Sequence, residues 1–254
     1  MEIRKQFGLI GRNIAYSFSK AYFDEKFRTG HLEGYRYQNF DIAELTGLAT
    51  ILKENPGLAG LNVTIPYKQA VLPLLDSLSE TATAIGAVNT IKVNPDGTMT
   101  GFNTDYYGFM KSLQPLLQPH HRRALILGTG GASKAVAYAL SQLGIGYLFV
   151  SRHPSAADMI AYSALSRDIF EQHQIVINCT PLGTAPDTDR CPELPYSCFS
   201  SSHIAYDLIY NPVQTLFLEQ AGNQGAMTKN GLEMLLLQAE KAWEIWNNGS
   251  AVIE

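Results

Sequence analysis

The sequence predicts an α/β fold in two domains, on three observations. Apolar strand-like runs alternate with segments of helical period along most of the chain, which is the pattern of a largely parallel sheet. The alternation is interrupted once, by a hairpin signal over 87–105, and then restarts. In the restarted half, a short apolar run leads into a glycine-rich turn, a helical segment and a second apolar run. A chain of 254 residues is long enough to give each domain its own core.

The elements follow in order. Residues 7–11 (FGLIG) are a first strand, and 19–30 a helix ended by Gly30. Residues 36–40 are a second strand, and 42–57 a helix with a Pro-Gly stop. A third strand, 58–64, breaks at Pro66 and is followed by a helix through about Leu78. Two β-rich runs then flank Pro95-Asp96-Gly97, a turn signal that predicts a hairpin. A helix beginning near Tyr106 precedes the strand Ala124–Leu127, the turn Gly128-Thr129-Gly130-Gly131-Ala132, another helix and the strand Tyr147–Val150. Ile175-Val176-Ile177 is a further strand.

Composition excludes several classes. With 46% hydrophobic and 17% charged residues the chain is neither disordered nor unusually charged, and a net charge of −4 offers no basic field for nucleic acid or anionic lipid. Cys179, Cys191 and Cys198 form no CxxC pair and the six histidines show no HExxH spacing, so neither a disulfide framework nor a metal site is expected. The N-terminal MEIRKQFGLIG is too short in its apolar run for a signal or spanning segment, and the protein is expected to be cytoplasmic.

The turn at 128–132 carries chemistry. Glycines there let the backbone approach a pyrophosphate, while the helix N-terminus supplies N–H donors and a positive dipole. Ser133 stands at the last position of the GxGxxG pattern, and a tight turn without ligand is the competing reading. An NAD site usually has an acid after the second strand; here Ser151-Arg152-His153 follow, with no acid before Asp158. That pattern favours the 2′-phosphate of NADP.

Ser17-Phe18-Ser19, NVTIPYK (62–68), GAVNT (86–90), GFNTD (101–105), GTGGA (128–132), NCTPLG (178–183), DLIYNP (207–212) and GLEMLLLQ (231–238) together resemble the shikimate dehydrogenase family. The resemblance covers almost the whole chain. It implies an N-terminal α/β substrate domain, 1–105, completed by a C-terminal helix, 232–254, that returns to it. A Rossmann-like NADP-binding domain, 106–231, is separated from it by a cleft. The implied reaction is reversible reduction of 3-dehydroshikimate to shikimate with NADP(H), in the route to chorismate and the aromatic amino acids. Small molecules are the implied partners, with no nucleic acid or membrane, in a monomer or homodimer.

By the same resemblance Ser17 and Ser19 hold the substrate carboxylate, Thr64, Asn89 and Gln238 its ring oxygens, and Tyr210 lies near the carboxylate. Lys68 and Asp105 form the catalytic pair. Gly128, Gly130, Gly131, Ala132, Ser151, Arg152, Leu208 and Gly231 fall at cofactor positions. Such a set suits a small polyhydroxylated acid, whose anion and ring oxygens need hydroxyls, amides and a lysine. Plainer roles exist for several of them: Ser17 and Ser19 suit a helix cap, Asn103 and Asp105 the cap of the helix near Tyr106, and Arg152 a solvated surface. Thr64 and Asn89 suit loop bridging, Tyr210 packing and Cys179 apolar filling. Gln238 shares a helical face with Gly231 and Met234 and is polar amid leucines.

Tyr16 stands where the family commonly has histidine, and Lys20 where it commonly has proline. The stretch between Arg152 and Ile175 is shorter than the family suggests and is expected to have lost a strand and part of a helix. Two other functions fit the same fold: a quinate/shikimate dehydrogenase using NAD(H), and a non-catalytic sensor of such metabolites. Retention of both Lys68 and Asp105 speaks against the sensor.

Overall fold

The computed structural model describes residues 4–15 and 17–247, so Tyr16 and the end of the helix expected over 232–254 lie outside the described residues. The chain divides into two compact units, one of 1–104 with 239–254, the other of 105–238.

In the first unit, β1 (Lys5–Gly11), α1 (Phe18–Thr29), β2 (Tyr35–Asp41), α2 (Gly47–Glu54) and β3 (Leu58–Val63) come first. They are followed by α3 (Tyr67–Ala70), β4 (Ser77–Leu78), α4 (Glu80–Ile85), β5 (Thr90–Val93) and β6 (Met99–Phe102). The sheet order is β2-β1-β3-β5-β6-β4. It is mixed rather than largely parallel: β1 pairs in parallel with β2 and β3, while β5 is antiparallel to both β3 and β6. The antiparallel part is the hairpin expected at Pro95-Asp96-Gly97, closed by Asn94 N–H to Thr98 O at 2.8 Å with Gly97 at φ +85°.

Two helices are shorter than expected, each for a visible reason. Residues 42–46 do not join α2, because the Ile42 carbonyl accepts from Tyr67 Oη (2.7 Å) and the Ala43 carbonyl from Arg12 Nη2 (2.6 Å). After Pro66 the helix is a single α-turn, with a 3-10 turn over Leu72–Leu74 behind it. Pro73 has no N–H to continue it, and Asp76 N–H then donates to Met99 O, leading the chain into β4 beside β6.

Strand alternation sends Phe7 and Leu9 to one face with Phe23, Phe27 and Tyr37, and Ile10 to the other with Leu61, Val63 and Ile91. Ala239, Ala242, Ile245 and Trp246 close the first face. Trp246 lies over Gly60, where an added Cβ would sit 2.3 Å from the indole, and its Nε1–H donates to Ile91 O at 3.0 Å.

The second unit begins with α5 (Asp105–Leu113), β7 (Arg123–Leu127), α6 (Gly131–Gln142), β8 (Gly146–Ser151) and β9 (Met159–Ala161). It continues through α7 (Arg167–Gln172), β10 (Ile175–Asn178), β11 (Ile204–Asp207), α8 (Leu216–Asn223), β12 (Met227–Lys229) and α9 (Leu232–Asn247). Its sheet is parallel in every pairing and ordered β12-β11-β10-β7-β8-β9, the doubly wound order of dinucleotide-binding folds. Ala124, Ile126, Ile175 and Ile177 pack under α5 and α6 on one face, and Leu125, Leu127, Val176 and Ala205 under Phe170, Phe199 and α8 on the other. The division between units falls inside α9, at 238/239, rather than before it.

The expectation of a lost strand between Arg152 and Ile175 is corrected. Strand β9 is present and pairs in parallel with β8, from Phe149 with Met159 to Ser151 with Ala161. What is missing is the crossover helix: residues 152–158 join β8 to β9 without one.

Candidate active site

In the first unit β1, β3 and β6 run in one direction and β5 in the other, so the chain leaving the first three and entering the fourth meets at one sheet edge. Ser17, Thr64, Lys68, Asn89 and Thr104 all lie on these segments. Thr64 N–H donates to Ile10 O (2.9 Å), Val63 N–H to Asn89 O (2.8 Å) and Asn89 N–H to Phe102 O (3.1 Å), which ties the segments together. Just beyond, Tyr67 is buried in the core and Val88 N–H donates to Lys68 O at 2.7 Å. The half-buried Lys68 therefore stands on a backbone held on both sides.

Asn89 is 2% exposed and its amide orientation is fixed by a group that can only donate. Its Oδ1 accepts from Thr104 N–H at 2.6 Å and from Thr90 Oγ1 at 3.1 Å, and its Nδ2 donates to Thr104 Oγ1 at 2.9 Å. The loop-bridging role that its residue type suggested is thus present. Ser17 caps α1, its Oγ accepting from Ser19 N–H at 3.3 Å, and Ser19 follows in the first turn. Asn103 Nδ2 donates to Ala87 O at 2.9 Å, and Asp105 opens α5 directly after Thr104.

The second unit gathers its own set at the carboxyl edge of its parallel sheet. Gly128 leaves β7 at φ +98°, a conformation L side chains rarely adopt, and Gly130 precedes α6 with open space where a Cβ would stand. Gly131 and Ala132 form the first turn of that helix, whose leading N–H groups have no acceptor within it. Ser133 fits the pattern's last position by being wholly buried, its Oγ donating to Gly130 O at 2.7 Å. At the end of β8, Ser151 Oγ accepts from His153 N–H (3.1 Å), and Arg152 is exposed. Burial raises the Tyr162 hydroxyl pKa, and the nearby Arg152 charge works against that rise. An open glycine turn before a twelve-residue helix, with a guanidinium one strand over, suits a phosphorylated dinucleotide.

Leu208 and Gly231 are brought into direct contact. Leu208 N–H donates to Asn178 O and Gly231 N–H to Ile209 O, both at 3.0 Å, and a Cβ on Gly231 would lie 2.0 Å from Leu208 O. Only glycine fits there. Tyr210 is half-buried two residues beyond Leu208. Gln238 is 9% exposed and donates from Nε2 to Leu235 O, on a helix that α5 approaches closely at Gly108, where a Cβ would be 2.5 Å from Met234 O. Burial pushes the Cys179 thiol well above its ordinary range, in keeping with a filling role.

Two residues escaped the sequence reading. Asp207, wholly buried, accepts from Asn178 Nδ2 (3.1 Å), Ile209 N–H (3.0 Å) and Thr215 Oγ1 (2.6 Å), so it joins the loops after β10 and β11. An acid closing the apolar run Ile204-Ala205-Tyr206 was the available signal. Tyr37, 1% exposed, donates to Asn62 Oδ1 at 2.8 Å. Its place among the inward residues of an alternating strand was the corresponding signal. Among the described residues no cluster of His, Cys, Asp or Glu could hold a metal ion, and no helix is long and apolar enough to cross a membrane.

A family profile, the shikimate dehydrogenase substrate binding domain, matches residues 9–91. The shikimate dehydrogenase (NADP(+)) of Desulforamulus reducens is 35% identical, over 97% of this chain and 91% of its own length. The crystal structure of shikimate 5-dehydrogenase from Thermus thermophilus in complex with NADP(H) and shikimate aligns with a TM-score of 0.84 at 33% identity, covering 96% of this chain and 93% of that one. Quinate dehydrogenase from Corynebacterium glutamicum in complex with NAD aligns with a TM-score of 0.84 at 30% identity, with the same two coverages. Identity of this extent across nearly the full length of both sequences means that the chain belongs to the shikimate dehydrogenase family.

Proposed function

We propose that this chain catalyses the reversible NADPH-dependent reduction of 3-dehydroshikimate to shikimate, in the cytoplasm. The observation that carries the reading is the meeting of Thr64, Lys68 and Asn89 at one sheet edge, in a chain of this family. Ser17 and Ser19 would grip the carboxylate, Thr64, Asn89 and Gln238 the ring oxygens, with Tyr210 nearby. Gly128, Gly130, Gly131, Ala132, Ser151, Arg152, Leu208 and Gly231 would hold NADP. When bound, NADPH supplies the hydride. Lys68 Nζ stabilises charge on the ketone oxygen and delivers its proton there; in the oxidising direction, neutral Lys68 accepts it. Asp105 is the proposed catalytic partner of Lys68. Turnover with shikimate and quinate, each with NADP and NAD, tests this directly: absence of shikimate oxidation with NADP would overturn it.

The quinate dehydrogenase relative, whose structure holds NAD, keeps an NAD-dependent reading in play, and the residue after β8 separates the two. Arg152→Ala is expected to weaken NADP binding tenfold to a hundredfold, about 1.5–3 kcal/mol for a charge-assisted phosphate contact. NAD binding should change little. Equal kcat/KM for both cofactors in the unmodified enzyme would rule out the NADP preference.

Replacing Ser17 and Ser19 together with Ala should weaken shikimate binding and leave NADP affinity nearly unchanged. Because Ser17 caps α1, the same variant is expected to lose about 1 kcal/mol of stability. Reduced stability with normal shikimate binding would leave the serines only a capping role.

A further inference from the structure

Between β1 and α1 the chain bends to deliver Ser17, and the bend leans on β2. Asn13 is at φ +56°, a conformation that L side chains rarely adopt. Asp41, the last residue of β2, accepts from Asn13 N–H through Oδ1 at 2.9 Å and from Ile14 N–H through Oδ2 at 3.2 Å, so one carboxylate takes both donors of the bend. Asn39, two residues earlier and therefore on the same face of the strand, donates from Nδ2 to Ile14 O at 3.3 Å. Ile14 O also accepts from Ser17 N–H at 3.0 Å, which links the bend to the cap of α1.

The Asn39 amide shows how strongly this residue is held. A carbonyl can only accept, so Asn39 must turn Nδ2 toward Ile14 O, and its Oδ1 is left buried with no hydrogen-bond partner among the described residues. The side chain of Ile14 is buried too, and a Cβ on Gly11 would stand 2.5 Å from both Ile14 Cγ2 and Thr64 Cγ2. That packing fixes where Ile14 lies, but not which way its backbone groups face. Their direction comes from Asp41 at the N–H and Asn39 at the carbonyl, and the carbonyl so directed receives Ser17 N–H.

We infer that Asp41 is a positioning residue for substrate: by holding Asn13 and Ile14 on the end of β2, it sets the place of Ser17 and Ser19, which take the substrate carboxylate. The inference rests on the role proposed for those two serines. An acid facing that anion would repel it, whereas both oxygens of Asp41 are occupied by backbone N–H groups of the bend. Asp41 therefore contributes to substrate affinity through the chain it holds, without touching substrate.

Asp41→Ala is expected to raise KM for shikimate about tenfold, below the roughly hundredfold that a misplacement of about 1 Å can cost, with KM for NADP nearly unchanged. Made in the variant that already carries Ser17→Ala and Ser19→Ala, the same substitution should add little, because Asp41 acts through the serines. A merely structural role would lower the thermal unfolding midpoint and leave KM for shikimate alone. An effect by another route would raise KM by the same factor in both backgrounds, and either result overturns the inference. If the serine variant weakens shikimate binding while Asp41→Ala does not, the positioning role falls and the serine role stands. If the serine variant binds shikimate normally, the serine role falls and the positioning role with it; if the unmodified chain does not turn over shikimate, the proposed reaction falls as well. Should Asp41→Ala fail to fold, Asp41→Asn, which keeps one acceptor oxygen for two N–H groups, decides alone: a smaller rise in KM for shikimate supports the role, and an unchanged KM overturns it.

Discussion

Lys68→Met is expected to lower kcat by about 10²-fold or more, the scale of lost general acid-base catalysis, with folding and NADP binding intact. The residue follows β3 and a turn whose anchor, Tyr67, is buried and bonded through its hydroxyl to Ile42 O at 2.7 Å. Its backbone carbonyl is taken by Val88 N–H. The backbone under Lys68 is thus rigid before any ligand arrives, and Met keeps the apolar stem while removing the ammonium. A surface lysine in an exposed salt bridge would contribute roughly 0–1 kcal/mol and no catalysis. Asp105→Asn should reduce kcat in the same direction. If Lys68 and Asp105 are the proposed catalytic pair, the double variant should lose less than the sum of the two free-energy penalties. Steady-state kinetics at saturating shikimate and NADP measures all three. Retention of more than about a third of kcat in Lys68→Met, a loss worth under roughly 1 kcal/mol, would mean that the lysine is not catalytic.

How much of this was legible in the sequence depends on what holds each element. Strands β1, β3, β7 and β10 are apolar because both their faces are buried, and their sequence pattern states as much. The hairpin was legible because Asp96 and Gly97 specify its turn locally. The helix expected over 42–57 failed because the carbonyls of Ile42 and Ala43 are claimed by Tyr67 and Arg12, residues distant in sequence. No local propensity reports such a bond. Strand β9 escaped for a related reason: three half-buried residues on a sheet edge carry too little pattern, and only pairing with β8 makes them a strand. The glycine turn and Lys68 were visible through motif and resemblance. Tyr37 and Asp207 were not, since their importance lies in partners that the fold alone supplies.

Asp207→Ala is expected to destabilise the protein by about 3–5 kcal/mol, at the upper end of single-residue effects. Removing the carboxylate leaves Asn178 Nδ2, Ile209 N–H and Thr215 Oγ1 without their acceptor inside a core that excludes water. Asp207→Asn should cost far less. Its Oδ1 can still accept from Asn178 and Ile209, and its Nδ2 can donate to the Thr215 hydroxyl, which rotates to accept. The two variants also separate charge from shape. Burial pushes the Asp207 carboxyl up to about 6, against hydrogen bonds from Thr215, Ile209 and Asn178 that favour the ionised form. With the folded pKa above the unfolded one, the folded state binds more protons between them. The contribution is then fully present below about pH 4 and is lost as pH rises through about 6, by up to about 3 kcal/mol for a shift of some two units. His121, His173 and His203 act with the opposite sign. Burial lowers all three, so the stability they contribute is present above pH 6.5 and lost as pH falls through their folded values. Those histidines are common to the wild type and to Asp207→Asn, so the difference in unfolding free energy between the two cancels them. Denaturant unfolding of both proteins from pH 4 to 7 should therefore show the wild type losing ground to the Asn variant as pH rises. A flat difference would mean that the carboxyl titrates normally, and a cost below about 1 kcal/mol for Asp207→Ala, the range of an ordinary surface change, would mean that the β10 and β11 loops are held by something other than Asp207.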